Sequence, residues 1–565
     1  MTIIRLFWLC LLGFVVAPAL AATNGTFPRG AVATIHPLAT QAGVEALEQG
    51  GNAVDAAVAA ALMLAVVDGH NSGLGGGCFV LIRRPDGQVV ALDGRETAPA
   101  AASRDLFVRG EKADSQLSLE GALAVGVPGE VASLVYATLH FGRLPFAQLA
   151  EGAARTADGG FAIDRNYAAR LRETAAALAK FPASRAVFLD PAGNPWPAGT
   201  ILKQSDLAET LRQLAVNGSD WFYRGPFATL TANWMTAHGG LLTKADFEKY
   251  RVRSREPVRG RYRDCEIISF PPPSSGGVHV VEILNILERF DLRAMNDNSP
   301  EFIHVVAEAM KLAFADRAKW LGDPDFSAVP RGLISKDYAA TLAAQIDRLR
   351  ATPVQEAGRP SDAGTDVFGR EQSRHTTHLS TADSEGNWVG LTATINTSFG
   401  SKVTVPGTGV LLNNQMDDFA AQPGVPNFFG LVGAEANSIA GGKRPLSSMS
   451  PTIVMRGGRP ILCVGAAGGP TIITQTVLAI LRTVDFGLPV DAALARPRFH
   501  HQWRPDELHI ERTVGIPVQE SLRRMGHRVV EESAIGAAQA VAIDPSGTGF
   551  VGAADPRGEG AAGGK

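Results

Sequence analysis

From Ala31 onward the pattern of apolar positions passes repeatedly from helical spacing to short β-rich runs, which predicts helices and strands in turn. "HPLATQAGVEALEQGGNAVDAAVAAALMLAVV" carries the helical spacing and breaks at Gly50-Gly51 into two helices, the second apolar all round and therefore buried. "GGCFVLIRRPDGQVVALDGRETAP" holds two β-rich runs joined by Pro85-Asp86-Gly87, the pattern of a hairpin. The stretch from about Ser118 to Leu214 reads as mostly helical. A strand, "CEIISF", then runs into "PPPSSGG", and an amphipathic helix is predicted over about Val278 to Phe290. The next helix, "SPEFIHVVAEAMKLAFADRAKWLG", has Ser299 as its cap and Pro300 in its first turn.

Between about Ala351 and Arg374 the apolar period disappears, and Pro, Gly, Asp, Ser and Gln dominate; this predicts a mobile surface segment. Strands resume with "THLSTA", "WVGLTATI", "GVLLNN", "PTIVM" and "PILCVGAAGG". A helix is predicted from about Thr471 to Val484, and short strands at "HRVVEE" and "AQAVAI". No repeat of roughly 20–50 residues marks a solenoid. Sheets sandwiched by helices, an α+β layered fold, fit this order of elements.

Composition narrows the class. The chain has 565 residues, 45% hydrophobic and 19% charged, with a formal net charge of -3. Its length suggests about three or four domains or one large layered body. No Lys/Arg block or global positive field points to nucleic acid. The first residues, "MTIIRLFWLCLLGFVVAPALAATNG", place Arg5 before an apolar run from Leu6 to Val16 and end in an Ala19-Leu20-Ala21 arrangement. This is the pattern of a secretory signal over residues 1–21, cut after Ala21, and the run is shorter than the roughly 20 residues a membrane anchor needs. An exported, periplasmic or secreted protein with no membrane span after signal removal is expected. The remaining Cys78, Cys265 and Cys463 are too few and too scattered for a disulfide framework or a zinc site; one pair stays open, with buried thiols the plainer reading.

Candidate chemistry centres on "RHTTHLSTADSEGNWVGLTATINTSFG", Arg374 to Gly400. Read as a hairpin with a polar loop at Asp383 to Asn387, its paired residue numbers sum to about 770. Thr376 then lies opposite Thr394, with Asn396 just beyond. If the backbone were cut before Thr376, the new α-amino group, with a pKa of roughly 7.7–8.0, would sit beside the hydroxyl and serve as its base. A β-branched strand start without any role has the same appearance.

Further blocks decide between these. "GVLLNNQMDDFAAQPGVPN", "KRPLSSMSPTIV", "GRETAP", "PPPSSGG", "ADRAKWLGDPDF" and "RPRFHHQW" resemble, in order across the chain, segments of the γ-glutamyltransferase (glutathione hydrolase) family of N-terminal-nucleophile hydrolases. The chain is identified as a member. The resemblance implies an αββα four-layer sandwich and a precursor that cuts itself between His375 and Thr376, giving a heterodimer: a large subunit, 22–375, and a small subunit, 376–565. It implies Thr376 as nucleophile, Thr394 assisting it, and Gly468 and Gly469 of "AAGGP" as oxyanion donors. Arg95, Ser447 and Ser448 would hold the α-carboxylate of a γ-glutamyl group, and Asp418, Asn396 and Gln415 its α-ammonium. Glutathione and related γ-glutamyl compounds would be donors, and water, amino acids or dipeptides acceptors; no cofactor, metal or nucleic acid is implied.

Two positions depart from the family. Phe429 of "GVPNFFG" stands where many members have an aromatic hydroxyl, and Cys78 where they often have glycine. "NSGLGGG" lacks the lysine of a phosphate loop and is read as close packing, and adjacent His500 and His501 would face opposite sides of a strand. The alternatives are a cephalosporin or glutaryl acylase of the same fold, which has no ammonium to bind, and a catalytically idle exported binding protein, which has no need of Thr376, Thr394 or the glycine pair.

Overall fold

A computed structural model describes residues 24–361, 366–369 and 377–565. The proposed signal and the His375–Thr376 junction lie outside the described residues.

Two seven-stranded sheets face one another. Across the first, the strand order is Ala561–Gly564, Gly30–Thr34, His378–Asp383, Trp388–Thr394, Gly77–Arg83, Val89–Gly94 and Arg253–Arg255. The second runs Asn24–Phe27, Phe550–Ala554, Ala537–Ile543, Arg459–Ala467, Thr452–Arg456, Cys265–Ser269 and Val258–Tyr262. Alternation along Gly77–Arg83 divides the core: Phe79 and Leu81 join one buried cluster with the second sheet, and Cys78, Val80 and Ile82 another with the Ala53–Val67 helix. The helix Ser275–Leu287 and the helix Thr471–Val484 pack on the outer face of the second sheet, which completes the αββα order. Strands from distant parts of the sequence are neighbours in both sheets, so the chain does not divide into the three or four sequential domains that its length suggested.

The hairpin of His378–Asp383 and Trp388–Thr394 is set locally. Asp383 Oδ1 accepts from the backbone N–H of Glu385 and of Asn387, both at 3.0 Å, and Gly386 takes the positive φ of 100° that the turn requires. His378 pairs with Thr392 and Ala382 with Trp388, so the numbers sum to 770 as the sequence predicts. Asp383 Oδ2 also accepts from Ala53 N at 2.8 Å, tying the turn to the buried helix. That helix starts where expected because Asn52 and Asp55 form a capping box.

Several expectations are corrected. The helix after "PPPSSGG" is Ser275–Leu287, starting earlier than predicted, because Ser274 caps it by accepting from Gly276 N at 3.0 Å. "GVLLNN" forms no strand; Leu411 and Leu412 make only isolated bridges to Thr404 and Gly75. Residues 351–361 are irregular, as predicted, yet fastened: Ala351 N donates to Met525 O, Trp503 Nε1 to Val354 O, and Gly358 N to Asp316 Oδ1. The strand at the histidine pair is only Phe499–His500, and both rings are buried, each with its own hydrogen-bond partners. All three described cysteines are free and buried.

Candidate active site

The mouth of the hairpin opens into a cleft of about 970 Å³. Thr377, the first described residue of the hairpin, accepts at its carbonyl from Ala393 N, which keeps the register of the His378–Thr392 pair. Thr376 itself and His375 lie outside the described residues. Thr394 lines the cleft, and its Oγ1 accepts from Asn396 N at 2.8 Å. Asn396 holds a left-handed φ of 79°, a conformation asparagine tolerates, and its Nδ2 donates to Asn414 O at 3.0 Å. Close packing behind this strand comes from the glycine run: a Cβ at Gly76 would lie 2.0 Å from the Thr394 carbonyl oxygen, and one at Gly75 2.1 Å from that of Leu411. His378 is structural. Burial pushes its imidazole down to about 3, and it bridges Thr392 and Ser380 between the sheets.

Gly468 and Gly469 end the Arg459–Ala467 strand at the cleft wall, with φ of 128° and 58°. Neither N–H finds an acceptor among the described residues, while their carbonyls receive Thr471 N and Ile472 N. Two free donors at a cleft surface are what a developing oxyanion requires.

Asp418 closes a single turn, Gln415–Asp418, and lines the cleft. Its Oδ2 accepts from Arg95 Nη2 and from Gln415 Nε2, each at 2.8 Å. Arg95 is wholly buried; burial lowers its pKa while Asp418 and then Glu96 hold it up. Its backbone is clamped, since Tyr250 Oη donates to Arg95 O at 2.7 Å and Arg95 N donates to Asp93 Oδ1 at 3.2 Å. Ser448 lines the cleft; Ser447 lies behind it, its Oγ accepting from Met449 N at 3.0 Å. Of the six predicted binding residues, Asn396, Asp418 and Ser448 therefore face the cavity, and Arg95, Gln415 and Ser447 support them from behind. "PPPSSGG" serves this wall: a Cβ at Gly276 would meet Met449 O at 1.9 Å, so only glycine lets the helix start dock there.

Three cleft residues escaped the sequence reading. Arg317 donates from Nη2 to Ser448 Oγ at 3.2 Å and from Nε to Ser275 Oγ at 2.9 Å; burial brings it down to about 10, with Asp418 opposing. In sequence it is a basic residue in the last turn of a helix, a common solvated end. Asp68 follows the buried helix, and burial raises its acid to about 8 despite hydrogen bonds from Asn71 and Thr377, so it is largely protonated at neutral pH. Lys402 also lines the cleft, although a lone lysine reads as surface.

Phe429 lies across Gly469, where an added Cβ would come within 2.7 Å of the ring. Its loop is held by Gln502 Nε2, which donates to Phe429 O at 3.1 Å, and by Phe428 N, which donates to Asp417 Oδ2 at 3.2 Å. Away from the cleft, His304, Glu308 and His527 bring possible ligand atoms within 4.8 Å of one another. The two imidazoles, however, bond each other at 2.7 Å, and the Lys311 ammonium lies 2.8 Å from Glu308, supplying the charge a metal would bring.

The family model described as Gamma-glutamyltranspeptidase matches residues 39–565. The chain is 43% identical to the glutathione hydrolase proenzyme of Escherichia coli (strain K12), over 94% of this chain and 90% of that protein. It is also 38% identical to an acylase ACY 1 proenzyme of Pseudomonas sp. (strain V22), over 95% of this chain and 93% of that protein. Among solved structures it is similar to a cephalosporin acylase from Bacillus halodurans, with a TM-score of 0.86 and 28% identity over 98% of this chain and 99% of that one.

Proposed function

The chain belongs to the γ-glutamyltranspeptidase family and is an enzyme of that family, and on this premise we propose that it is a glutathione hydrolase and γ-glutamyltransferase matured by cleavage before Thr376. The observation that carries the substrate assignment is the Arg95–Asp418 pair, 2.8 Å apart in the wall of the cleft that holds Thr377 and Thr394. A γ-glutamyl group brings an α-ammonium and an α-carboxylate. The ammonium takes Asp418 Oδ2, with Asn396 beside it and Gln415 behind, and the carboxylate takes Ser448, with Ser447 and the Arg95 guanidinium behind it. The ligand's two charges then lie next to their opposites in the wall, and no buried charge is left alone.

In maturation the Thr376 hydroxyl attacks the carbonyl of His375, the peptide nitrogen leaves as an amine on the same residue, and water hydrolyses the resulting ester. The freed α-amine then takes the hydroxyl proton while Oγ attacks the γ-carbonyl of the substrate. Gly468 and Gly469 N–H groups receive the oxyanion, and Thr394 orients Oγ. The departing amine leaves with a proton, and water or an acceptor amine of an amino acid or dipeptide releases the γ-glutamyl group. Residues 1–21 direct export to the periplasm or medium, which fractionation against a cytoplasmic marker tests.

The acylase relatives make a glutaryl substrate, which lacks the ammonium, the specific competitor. Asp418→Asn removes one partner of a largely buried ion pair, a change worth about 3–5 kcal/mol. It should therefore lower kcat/KM for γ-glutamyl-p-nitroanilide by about a hundredfold to several thousandfold and leave that for glutaryl-p-nitroanilide no lower. Faster turnover of the glutaryl compound by the unmodified enzyme would replace this reading with the acylase one.

A further inference from the structure

Lys402 is a charged group that the reaction above leaves unused. It lines the cleft yet is only 7% exposed, and it holds a left-handed φ of 67° that a lysine adopts only when its surroundings fix it. Its Nζ donates to Gly400 O at 2.5 Å and to Thr397 Oγ1 at 3.3 Å, both neutral acceptors. Among the described residues the acid that most influences it is Glu120, and that carboxylate is committed to Lys180 at 2.5 Å. A buried ammonium with neutral partners alone is costly unless an anion completes it. Burial accordingly pulls Lys402 down to about 8.

Lys402 bonds Thr397, which follows Asn396, whose N–H is held by Thr394 Oγ1 at 2.8 Å. Lys402 lines the same cleft as Thr377 and Thr394, together with Gln116, Leu119, Glu120 and Ser398. The part of glutathione that departs is a dipeptide ending in a carboxylate, and two extended residues reach about 7 Å from the broken bond.

We propose that Lys402 is the anion-binding residue of a leaving-group arm, its ammonium taking the C-terminal carboxylate of the peptide that departs from the γ-glutamyl group. The inference rests on the γ-glutamyl reading of the site. Thr397 and Gly400 supply neutral hydrogen bonds, and the ligand supplies the negative charge that Glu120, paired with Lys180, does not.

The test pairs two substrates with two enzymes in mature, full-length form: glutathione and its glycine amide, with the unmodified enzyme and K402Q. The unmodified enzyme should favour the free acid over the amide by about tenfold or more in kcat/KM, the scale of one charge-assisted hydrogen bond. K402Q should bring that ratio close to one, and K402R should restore it. γ-Glutamyl-p-nitroanilide, whose leaving group has no carboxylate, reports whether the γ-glutamyl pocket is intact. Equal rates on acid and amide in the unmodified enzyme overturn the inference however the variants fold. A K402Q enzyme that slows on both while keeping the ratio overturns it too, leaving Lys402 as a brace for Asn396. Turnover of the anilide together with no acid preference defeats this inference alone, whereas failure on all three substrates defeats the γ-glutamyl reading beneath it.

Discussion

Asp417 and Asp418 are adjacent in the sequence and differ in duty. Asp418 faces the cavity and meets Arg95, whereas Asp417 accepts from Ser118 Oγ at 2.7 Å and from Phe428 N in the loop that carries Phe429. Burial raises the Asp417 acid from 3.8 to about 7. Between those values the folded chain holds a proton that the unfolded chain has lost, so this residue's contribution to stability falls as pH rises from 4 toward 7. Asp417→Asn should therefore raise the melting temperature, relative to the unmodified protein, more at pH 7 than at pH 5; an equal shift at both would contradict the assignment. Much of this chemistry was legible at single residues. Thr394, Asn396, Asp418 and Ser448 were named from motifs and meet in one cleft. Arg317, Asp68 and Lys402 were not, because their importance comes from burial, and burial is set by chain segments far away in sequence.

At the level of elements, the hairpin was readable because its Asp-Ser-Glu-Gly-Asn turn fixes one register, and a slip by one residue would exchange the side chains that face the second sheet with those that face the Ala53–Val67 helix. The packing that presses Thr394 into place was readable only as a glycine run. Gly76→Ala would drive a Cβ to 2.0 Å from the Thr394 carbonyl, and backbone cannot yield as a flexible side chain does. That variant should accumulate as uncut or insoluble precursor on a denaturing gel; normal cutting and activity would show that the contact does not position the strand. Elements shaped by distant partners were misjudged. "GVLLNN" has the composition of a strand but packs edge-on against Gly75 and Thr404, and residues 351–361 have the composition of a loose loop but are bonded to the body at several points.

On the scale of the molecule, a cut before Thr376 leaves two fragments that remain woven together. In the first sheet Gly30–Thr34, from the large fragment, lies between Ala561–Gly564 and His378–Asp383, both from the small one. In the second sheet Asn24–Phe27 and Cys265–Ser269 flank four consecutive strands of the small fragment. Separation would break strand pairs in both sheets at once. The mature protein should elute as one species under native conditions and resolve into two bands only in denaturant; fragments that part on native gel filtration would refute this arrangement. Such interleaving was beyond the sequence, where local pattern names strands but does not order them, while the layered class followed from the succession of elements. The central claim is that one backbone cleavage creates the nucleophile's own base. N-terminal sequencing of the purified mature protein measures it most directly. The smaller fragment should begin Thr376-Thr377-His378, and Thr376→Ala should yield one inactive, uncut chain. An active preparation with a single amino terminus, or a small fragment beginning at any other residue, would contradict the account.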